Sequence, residues 1–332
     1  MSTDNLQIRL ASRPQRWVRE DNFRQVREAI PEPSEGQVLV KVRYLSLDPY
    51  MRGRMDDAKS YAAKVELGDV MVGGTVGEVA ESRDERFQRG DRVVGMLGWQ
   101  QYGVCDAREL RKIDVSRVPE TVYLGTVGMP GVTAWYGLTH IGEPKPGETV
   151  LVSAASGAVG SVVGQLAKIK GCRAVGIAGG PAKCGYVVEE LGFDACVDYK
   201  AGRLEQDLAE ATPDGVDVYY DNVGGPILDA ALDRLNPFAR IPLCGLISGY
   251  NGQPMAIHNV RSLLINRVKL QGFIVTEHPD VWPQALRQLG EWVAQGRIKY
   301  RETITEGLEN APQAFIGLLK GENFGKQLIK VA

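Results

Sequence analysis

The stretch Val150-Leu-Val-Ser-Ala-Ala-Ser-Gly-Ala-Val-Gly160 constrains the fold more than any other part of the chain. An apolar run, Thr149 to Val152, enters Ala155-Ser-Gly-Ala-Val-Gly160. A helical pattern follows, with Val159, Val162, Val163, Leu166 and Ala167 on one face. Strand, glycine turn and helix together aim backbone N–H groups and the positive end of a helix at a diphosphate. The spacing departs from G-x-G-x-x-G at its first position, where Ala155 stands. A plain strand-to-helix turn has the same local pattern, so the context must decide.

That context is a second strand, Arg173 to Ile177, ending in Ala178-Gly179-Gly180-Pro181. A fold that binds NAD is expected to place a carboxylate here, about 20 residues past the last glycine, for the adenosine ribose. None is present. Lys183 follows instead, and Tyr199-Lys200 closes the next strand. Small residues leave room for a 2′-phosphate and the lysines can pair with its charge, so NADP(H) is the expected cofactor. Read without that context, Lys183 and Lys200 are ordinary surface lysines.

The strand signals repeat. Val150–Val152, Arg173–Ile177, Ala195–Asp198, Asp217–Asp221, Arg240–Cys244 and Leu270–Val275 are short β-branched or apolar runs, most of them followed by a helix. Alternation of this kind predicts an α/β fold with a doubly wound parallel sheet, and six strands make a full Rossmann domain. Before it, Val38–Arg43, Gly74–Val79 and Asp91–Gly95 lie between glycine-rich turns and predict a β-rich module of barrel type. After it come a helix from Val281 to Gln295, a helix from Ala311 to Lys320, and a closing strand Lys326–Val331.

Composition narrows the function classes. A net charge of −2 argues against nucleic acid as a main partner. The 22 residues from Thr121 to Gly142 lack Asp, Glu, Lys and Arg, but their five glycines and a proline make a poor membrane helix. The N-terminus has no apolar run of signal-peptide type, and Cys105, Cys172, Cys184, Cys196 and Cys244 are scattered without Cys-x-x-Cys. Free thiols in a reducing, cytoplasmic setting are the expectation.

Residues at the carboxyl ends of parallel strands line the ligand crevice. This directs attention to Asp221-Asn-Val-Gly-Gly225 and to Cys244-Gly-Leu-Ile-Ser-Gly-Tyr250. His140, His258 and His278 have no cysteine or carboxylate at ligand-like spacing, so no metal site is expected. Ser156 lacks the Gly-x-Ser-x-Gly elbow of a nucleophile, and Cys244 reads as sheet packing. Tyr250, following the fifth strand, is the chemical candidate. A phenol titrates near 10 in water, so at neutral pH it donates a proton, which suits a reaction developing an enolate oxygen. Tyr50 and Tyr61 are further candidates whose plain alternative is amphipathic packing.

These runs resemble the medium-chain dehydrogenase/reductase superfamily, and within it the zinc-free branch. That branch holds the leukotriene B4 12-hydroxydehydrogenase/prostaglandin reductases, the alkenal double-bond reductases and the bacterial NADPH-dependent curcumin reductases. The likeness to the last group is carried by Tyr44-Leu-Ser-Leu-Asp-Pro-Tyr-Met-Arg-Gly-Arg54, Val70-Met-Val-Gly-Gly-Thr-Val76, Asp217-Val-Tyr-Tyr-Asp-Asn-Val-Gly-Gly225, Gly307-Leu-Glu-Asn-Ala-Pro-Gln313 and Asn323-Phe-Gly-Lys-Gln-Leu-Ile-Lys-Val-Ala332. The resemblance implies a GroES-like catalytic domain over 1–125, completed by 300–332, with the NADP-binding Rossmann domain over 126–299. It implies that Lys183 and Tyr199 hold the 2′-phosphate, that Asn222 and Asn323 contact the cofactor, and that Met129 and Thr133 lie by its nicotinamide half. Ala155, Gly157, Ala158, Val159, Gly160, Gly179, Cys244, Gly245, Ser248 and Phe273 join them as cofactor contacts. Where zinc alcohol dehydrogenases place their first metal cysteine, this chain has Ser46-Leu-Asp-Pro-Tyr50, and the four-cysteine zinc lobe is missing.

The resulting expectation is NADPH-dependent reduction of the C=C bond of an α,β-unsaturated ketone or aldehyde. Tyr250 steadies the enolate, and Tyr50, Tyr61, Tyr250 and Trp282 line the substrate pocket. A homodimer is implied by the family. A quinone reductase of the same superfamily and a non-catalytic NADPH-binding sensor are the alternatives.

Overall fold

The computed structural model describes residues 4–331. Met1 to Thr3 and Ala332, which the sequence reading includes at the two ends of the β-rich domain, lie outside the described residues. The chain forms two units, one of Met1–Leu124 with Glu302–Ala332 and one of Gly125–Arg301.

In the second unit six strands make one sheet: β1 Thr149–Ser153, β2 Arg173–Ala178, β3 Ala195–Asp198, β4 Val216–Tyr220, β5 Leu235–Leu243 and β6 Lys269–Gly272. Their spatial order is β3-β2-β1-β4-β5-β6 and each pairing is parallel. This is the doubly wound Rossmann arrangement, whose direction reverses between β1 and β4. Helices cover both faces of such a sheet, so its central strands must be apolar on both sides. β1 is buried along its whole length, and β4 at every residue but Asp217. Helix α1, Gly160–Ile169, buries Val162, Val163, Leu166 and Ala167, each such side chain contributing roughly 1–3 kcal/mol.

Two predicted strands differ in extent. β5 starts five residues before the expected Arg240, because the chain passes Pro237 through a bulge: Phe238 has φ +66°, and the register moves from Val216 opposite Leu235 to Val218 opposite Arg240. Proline is tolerated in a strand at such a bulge. β6 stops at Gly272, short of the expected Val275, because the chain turns into a 3-10 segment at Val275–Glu277. Phe273 and Val275 therefore lie beyond the strand, not in it.

In the first unit a seven-stranded sheet runs in the order Glu302–Glu306, Lys326–Lys330, Gln37–Ser46, Thr75–Ser82, Arg92–Gly95 and Arg111–Lys112, with Tyr102–Asp106 also paired to Gln37–Ser46. The two C-terminal strands thus complete a sheet begun near the N-terminus. A hairpin of Asp4–Leu10 and Phe23–Ala29 packs with it around the fully buried Trp99, which stacks on Phe23 at 5.5 Å. Lys326 makes a buried ion pair with Asp48 at 2.9 Å, and Asp48 also accepts from Ser46, so the segment before Tyr50 is pinned to the last strand.

Candidate functional site

At the carboxyl end of β1 the chain turns sharply at Ala154, which adopts φ +50°. A Cβ on Gly160 would stand 2.3 Å from the Ala154 carbonyl oxygen, so only glycine lets α1 begin this close to the strand. The alanine at the first motif position also has a physical account. On β2, a Cβ at Gly176 would meet the Ala155 methyl at 2.8 Å, so the neighbouring strand supplies the space that the missing glycine would have left.

Across the reversal point, β4 delivers Asp221, which is fully buried. Its Oδ1 accepts from the Tyr219 hydroxyl at 2.8 Å, the Val223 and Gly224 amides at 2.9 and 3.0 Å, and Ser153 Oγ at 3.1 Å. Burial raises the Asp221 carboxyl above the ordinary aspartate value, against these donors, which lower it. Its Oδ2 is buried without a partner in the structure. Asn222 completes the junction: its amide N–H donates to Ser153 Oγ at 2.9 Å and its Nδ2 to the Ser153 carbonyl at 2.8 Å.

The loop after β5 is fastened to the same segment. Cys244 and Gly245 amides donate to the Asp221 carbonyl at 2.8 and 3.2 Å, and Ser248 Oγ donates to the Val223 carbonyl at 2.6 Å. Tyr250 folds back onto this loop, where its hydroxyl accepts from the Leu246 amide at 3.3 Å. A Cβ on Gly245 would stand 3.3 Å from that hydroxyl. Burial pushes the Cys244 thiol up to about 12, which suits packing and not nucleophilic work. Ser153, Cys244, Gly245 and Ser248 are thereby tied to the segment 221–223 that carries Asn222, and Tyr250 to the loop fastened there.

A second cluster forms where β2 and β3 end. A Cβ on Gly179 would lie 2.9 Å from the Tyr199 ring and 3.0 Å from Lys200 Cε, so Tyr199 and Lys200 close over the glycine. Gly180 takes φ +95°, and Pro181 opens the short helix Pro181–Gly185 that carries Lys183. Burial, then the nearby charge of Lys200, holds the Lys183 ammonium below its ordinary value. Two lysines whose charges sense each other, with Lys200 Nζ 5.9 Å from the centre of the Tyr199 ring, are chemically suited to a phosphate dianion. Asp198 Oδ1 accepts from the amides of Gly180 and Lys200 at 2.7 and 2.9 Å and so fixes both segments.

Met129 and Thr133 lie on the helix Met129–Tyr136, where Thr133 Oγ1 donates to the Met129 carbonyl at 2.7 Å. Tyr220 of β4 donates to the Thr133 carbonyl at 2.8 Å, and Phe273 packs on Tyr136 and Tyr220 with centroids 5.5 and 6.4 Å apart. Trp282 Nε1 donates to the Val275 carbonyl at 3.2 Å. In the first unit, Tyr50 and Tyr61 share one neighbour: the Arg54 guanidinium lies 5.6 Å from one ring centroid and 5.3 Å from the other. Burial, then the Asp48 charge, raises the Tyr50 phenol, which keeps it protonated. Asn323 Nδ2 donates to the Gly325 carbonyl at 2.7 Å, before the last strand.

The sequence placed Asp221 and Asp198 at strand ends facing the crevice but gave neither the role of fixing its turn, and it did not single out Gly176 or Arg54. A carboxylate directly after the buried strand Val216–Tyr220 is the signal that points to Asp221. Arg54 carries no comparable signal. Of the histidines, His140 and His278 stack on Tyr136 at 4.9 and 4.3 Å. Among the described residues no group of three or more His, Cys, Asp or Glu is placed to hold a metal ion.

Comparison with known proteins places these observations. Residues 6–113 match the family model of the N-terminal domain of oxidoreductases, and residues 158–291 match that of zinc-binding dehydrogenases. The chain is 50% identical to the NADPH-dependent curcumin reductase of Escherichia coli over 97% of its length and 96% of that protein. It is 43% identical to the NADP(+)-dependent 2-alkenal reductase of Nicotiana tabacum, over 91% of its length and 89% of that protein. The crystal structure of CurA from Vibrio vulnificus in complex with NADPH superposes with a TM-score of 0.94 at 47% identity, covering 98% of this chain and 99% of that one.

Proposed function

The chain belongs to the medium-chain dehydrogenase/reductase family and is an NADP-dependent oxidoreductase, and we propose that Tyr250 is the proton-bearing group of its enone reduction. It reduces the C=C bond of α,β-unsaturated ketones and aldehydes with NADPH. The observation that supports the cofactor assignment on this chain is Tyr199 and Lys200 closing over Gly179, with the charge of Lys200 reaching Lys183, after a strand, Arg173–Ala178, that ends without a carboxylate.

NADPH, when bound, supplies a hydride to the β-carbon of the substrate. Gly157, Ala158, Val159 and Gly160 would line its diphosphate, Lys183 and Tyr199 its 2′-phosphate. Asn222, Gly245, Ser248, Met129, Thr133 and Asn323 would hold the remainder, together with Ala155, Gly179, Cys244 and Phe273. The chain's own part in the chemical step is electrostatic. As negative charge grows on the substrate carbonyl oxygen, the Tyr250 hydroxyl donates to it, directly or through a ribose hydroxyl. A donor set in place beforehand reorganises nothing during the reaction. The buried Asp221 carboxylate holds Ser153 and the Val223 and Gly224 amides at once, and the carbonyls of Asp221 and Val223 fasten the loop that carries Tyr250 to that turn. Tyr50, Tyr61 and Trp282 supply aromatic surface for a flat conjugated substrate.

The protein acts in the cytoplasm, in keeping with five free cysteines and with the lack of any helix, among the described residues, long and apolar enough to cross a membrane. It works as a homodimer. Support comes from β6, an edge strand paired only with β5, beside the exposed Phe238, Val260, Leu264 and Ile265.

The test is NADPH consumption with a straight-chain 2-alkenal, an aryl enone, curcumin and a simple quinone. Fast turnover of the enones to saturated carbonyl products is expected. Turnover confined to the quinone would overturn the reaction while leaving fold and cofactor intact.

A further inference from the structure

Two cysteines meet at the adenosine end of the sheet. Cys184 lies on the short helix Pro181–Gly185 and Cys196 on β3, yet their Sγ atoms are 3.2 Å apart. A disulfide needs about 2.05 Å, so the sulfurs have roughly 1 Å to travel. Space for them is built in. Gly176 pairs with Cys196 across β2 and β3, and a Cβ there would press on Cys196 Sγ at 3.2 Å. Neither cysteine is fully buried. The sulfur–sulfur hydrogen bond holds the Cys184 thiol below its ordinary value and pushes that of Cys196 up. Burial raises the other three, Cys105 to about 11, Cys244 to about 12, and Cys172 in the same direction. Cys196 Sγ donates to Cys184 Sγ, which sets Cys184 up as the nucleophile with a protonated partner in reach.

We propose that Cys184 and Cys196 form a reversible disulfide with hydroperoxides as the oxidant, and that the oxidised chain holds NADPH more weakly. The Cys184 sulfur attacks the peroxide, the O–O bond breaks, and the leaving oxygen departs as water or an alcohol. Cys184 is then a sulfenic acid. The Cys196 sulfur attacks it, the S–O bond breaks, and the hydroxyl leaves as water with the Cys196 proton. Two thiols lose two electrons in all, and the peroxide gains them.

The consequence for the cofactor rests on the assignment of Lys183 and Tyr199 to the 2′-phosphate. Lys183 adjoins Cys184, and Tyr199 follows β3 directly. Closing the bond draws the Lys183 segment onto β3, to which Asp198 already ties the Gly180 amide at 2.7 Å, and so turns Lys183 about that fixed point. Lys183 then leaves the position from which the proposed function has it meet the 2′-phosphate. NADH, without a 2′-phosphate, does not sense the shift.

The experiment treats the full-length enzyme with hydrogen peroxide, blocks remaining thiols, and maps linked peptides by mass spectrometry, with NADPH and NADH affinities measured before and after. A single Cys184–Cys196 link, reversed by dithiothreitol and absent in Cys184→Ser, is expected. NADPH affinity should fall about tenfold, as for one charge-assisted hydrogen bond, with NADH affinity unchanged. Over-oxidised sulfur without that link, or the link with NADPH affinity unchanged, would overturn the proposal. Lys183→Ala in the reduced enzyme probes the phosphate assignment separately. Should it bind NADPH as well as the wild type, that assignment fails while the peptide map still reports on the disulfide.

Discussion

On the carboxyl side of one parallel sheet two carboxylates, one at its centre and one at its edge, hold the chain in opposite ways. Where β1 and β4 end, Asp221 is fully buried and its single Oδ1 gathers the Tyr219 and Ser153 hydroxyls and the Val223 and Gly224 amides. Where β2 and β3 end, Asp198 fixes only the Gly180 and Lys200 amides, amid lysines and a Tyr199 that is 41% exposed. Low dielectric strengthens each bond of the first and penalises any that is lost, so that turn has one conformation. Solvent screens the second, which can read a charge and still shift. On the proposed reading, geometry for the chemical step is kept at the dry end and cofactor choice at the wet one.

The largest effect separates the two carboxylates. Asp221→Ala leaves buried donors unsatisfied and should lower stability by about 3–5 kcal/mol in denaturant titration. Asp198→Ala should cost about 1 kcal/mol. Equal costs would break the comparison.

Next comes the chemistry hung on the dry end. Tyr250→Phe should lower kcat about 100- to 1000-fold with NADPH affinity nearly unchanged, by analogy with loss of one oxyanion donor. An unchanged kcat removes Tyr250 from the mechanism. At the wet end the pattern reverses. Lys183→Ala should raise KM for NADPH about 10- to 100-fold, leave KM for NADH alone, and barely move kcat.

The smallest effect is one of pH. Burial, then the Lys200 charge, places the Lys183 pKa below the usual 10.5. Its charge is therefore lost at a lower pH than that of an ordinary lysine as pH rises. The affinity ratio favouring NADPH over NADH should decline from neutral to alkaline pH, and should stay flatter in Lys183→Arg, whose guanidinium keeps its proton. A flat ratio in the wild type would mean that Lys183 does not set the preference.

How far the sequence revealed this depended on whether each feature was local. Buried parallel strands must be apolar on both faces, so β1 to β4 read directly as β-branched runs. β5 did not, because its start runs through Pro237 and a left-handed Phe238, which look like a break until the bulge is seen. Residues at strand ends followed from the alternation, and with them Asn222, Ser248 and Tyr250. Their fastening did not. Ser153 and Asp221 are 68 positions apart and meet only once β1 and β4 are neighbours. The Ala155 departure was visible, whereas the glycine that accommodates it, Gly176, lies on another strand. Arg54 joins Tyr50 to Tyr61 through a turn that no periodicity announces.

The central claim is hydride delivery to the β-carbon of an enone with Tyr250 holding the growing charge. The direct measurement uses NADPH deuterated at the transferring position and an aryl enone, with the product read by NMR. Deuterium at the β-carbon of a saturated ketone, with a much slower rate in Tyr250→Phe, is the predicted result. Deuterium at the carbonyl carbon of an allylic alcohol would contradict it.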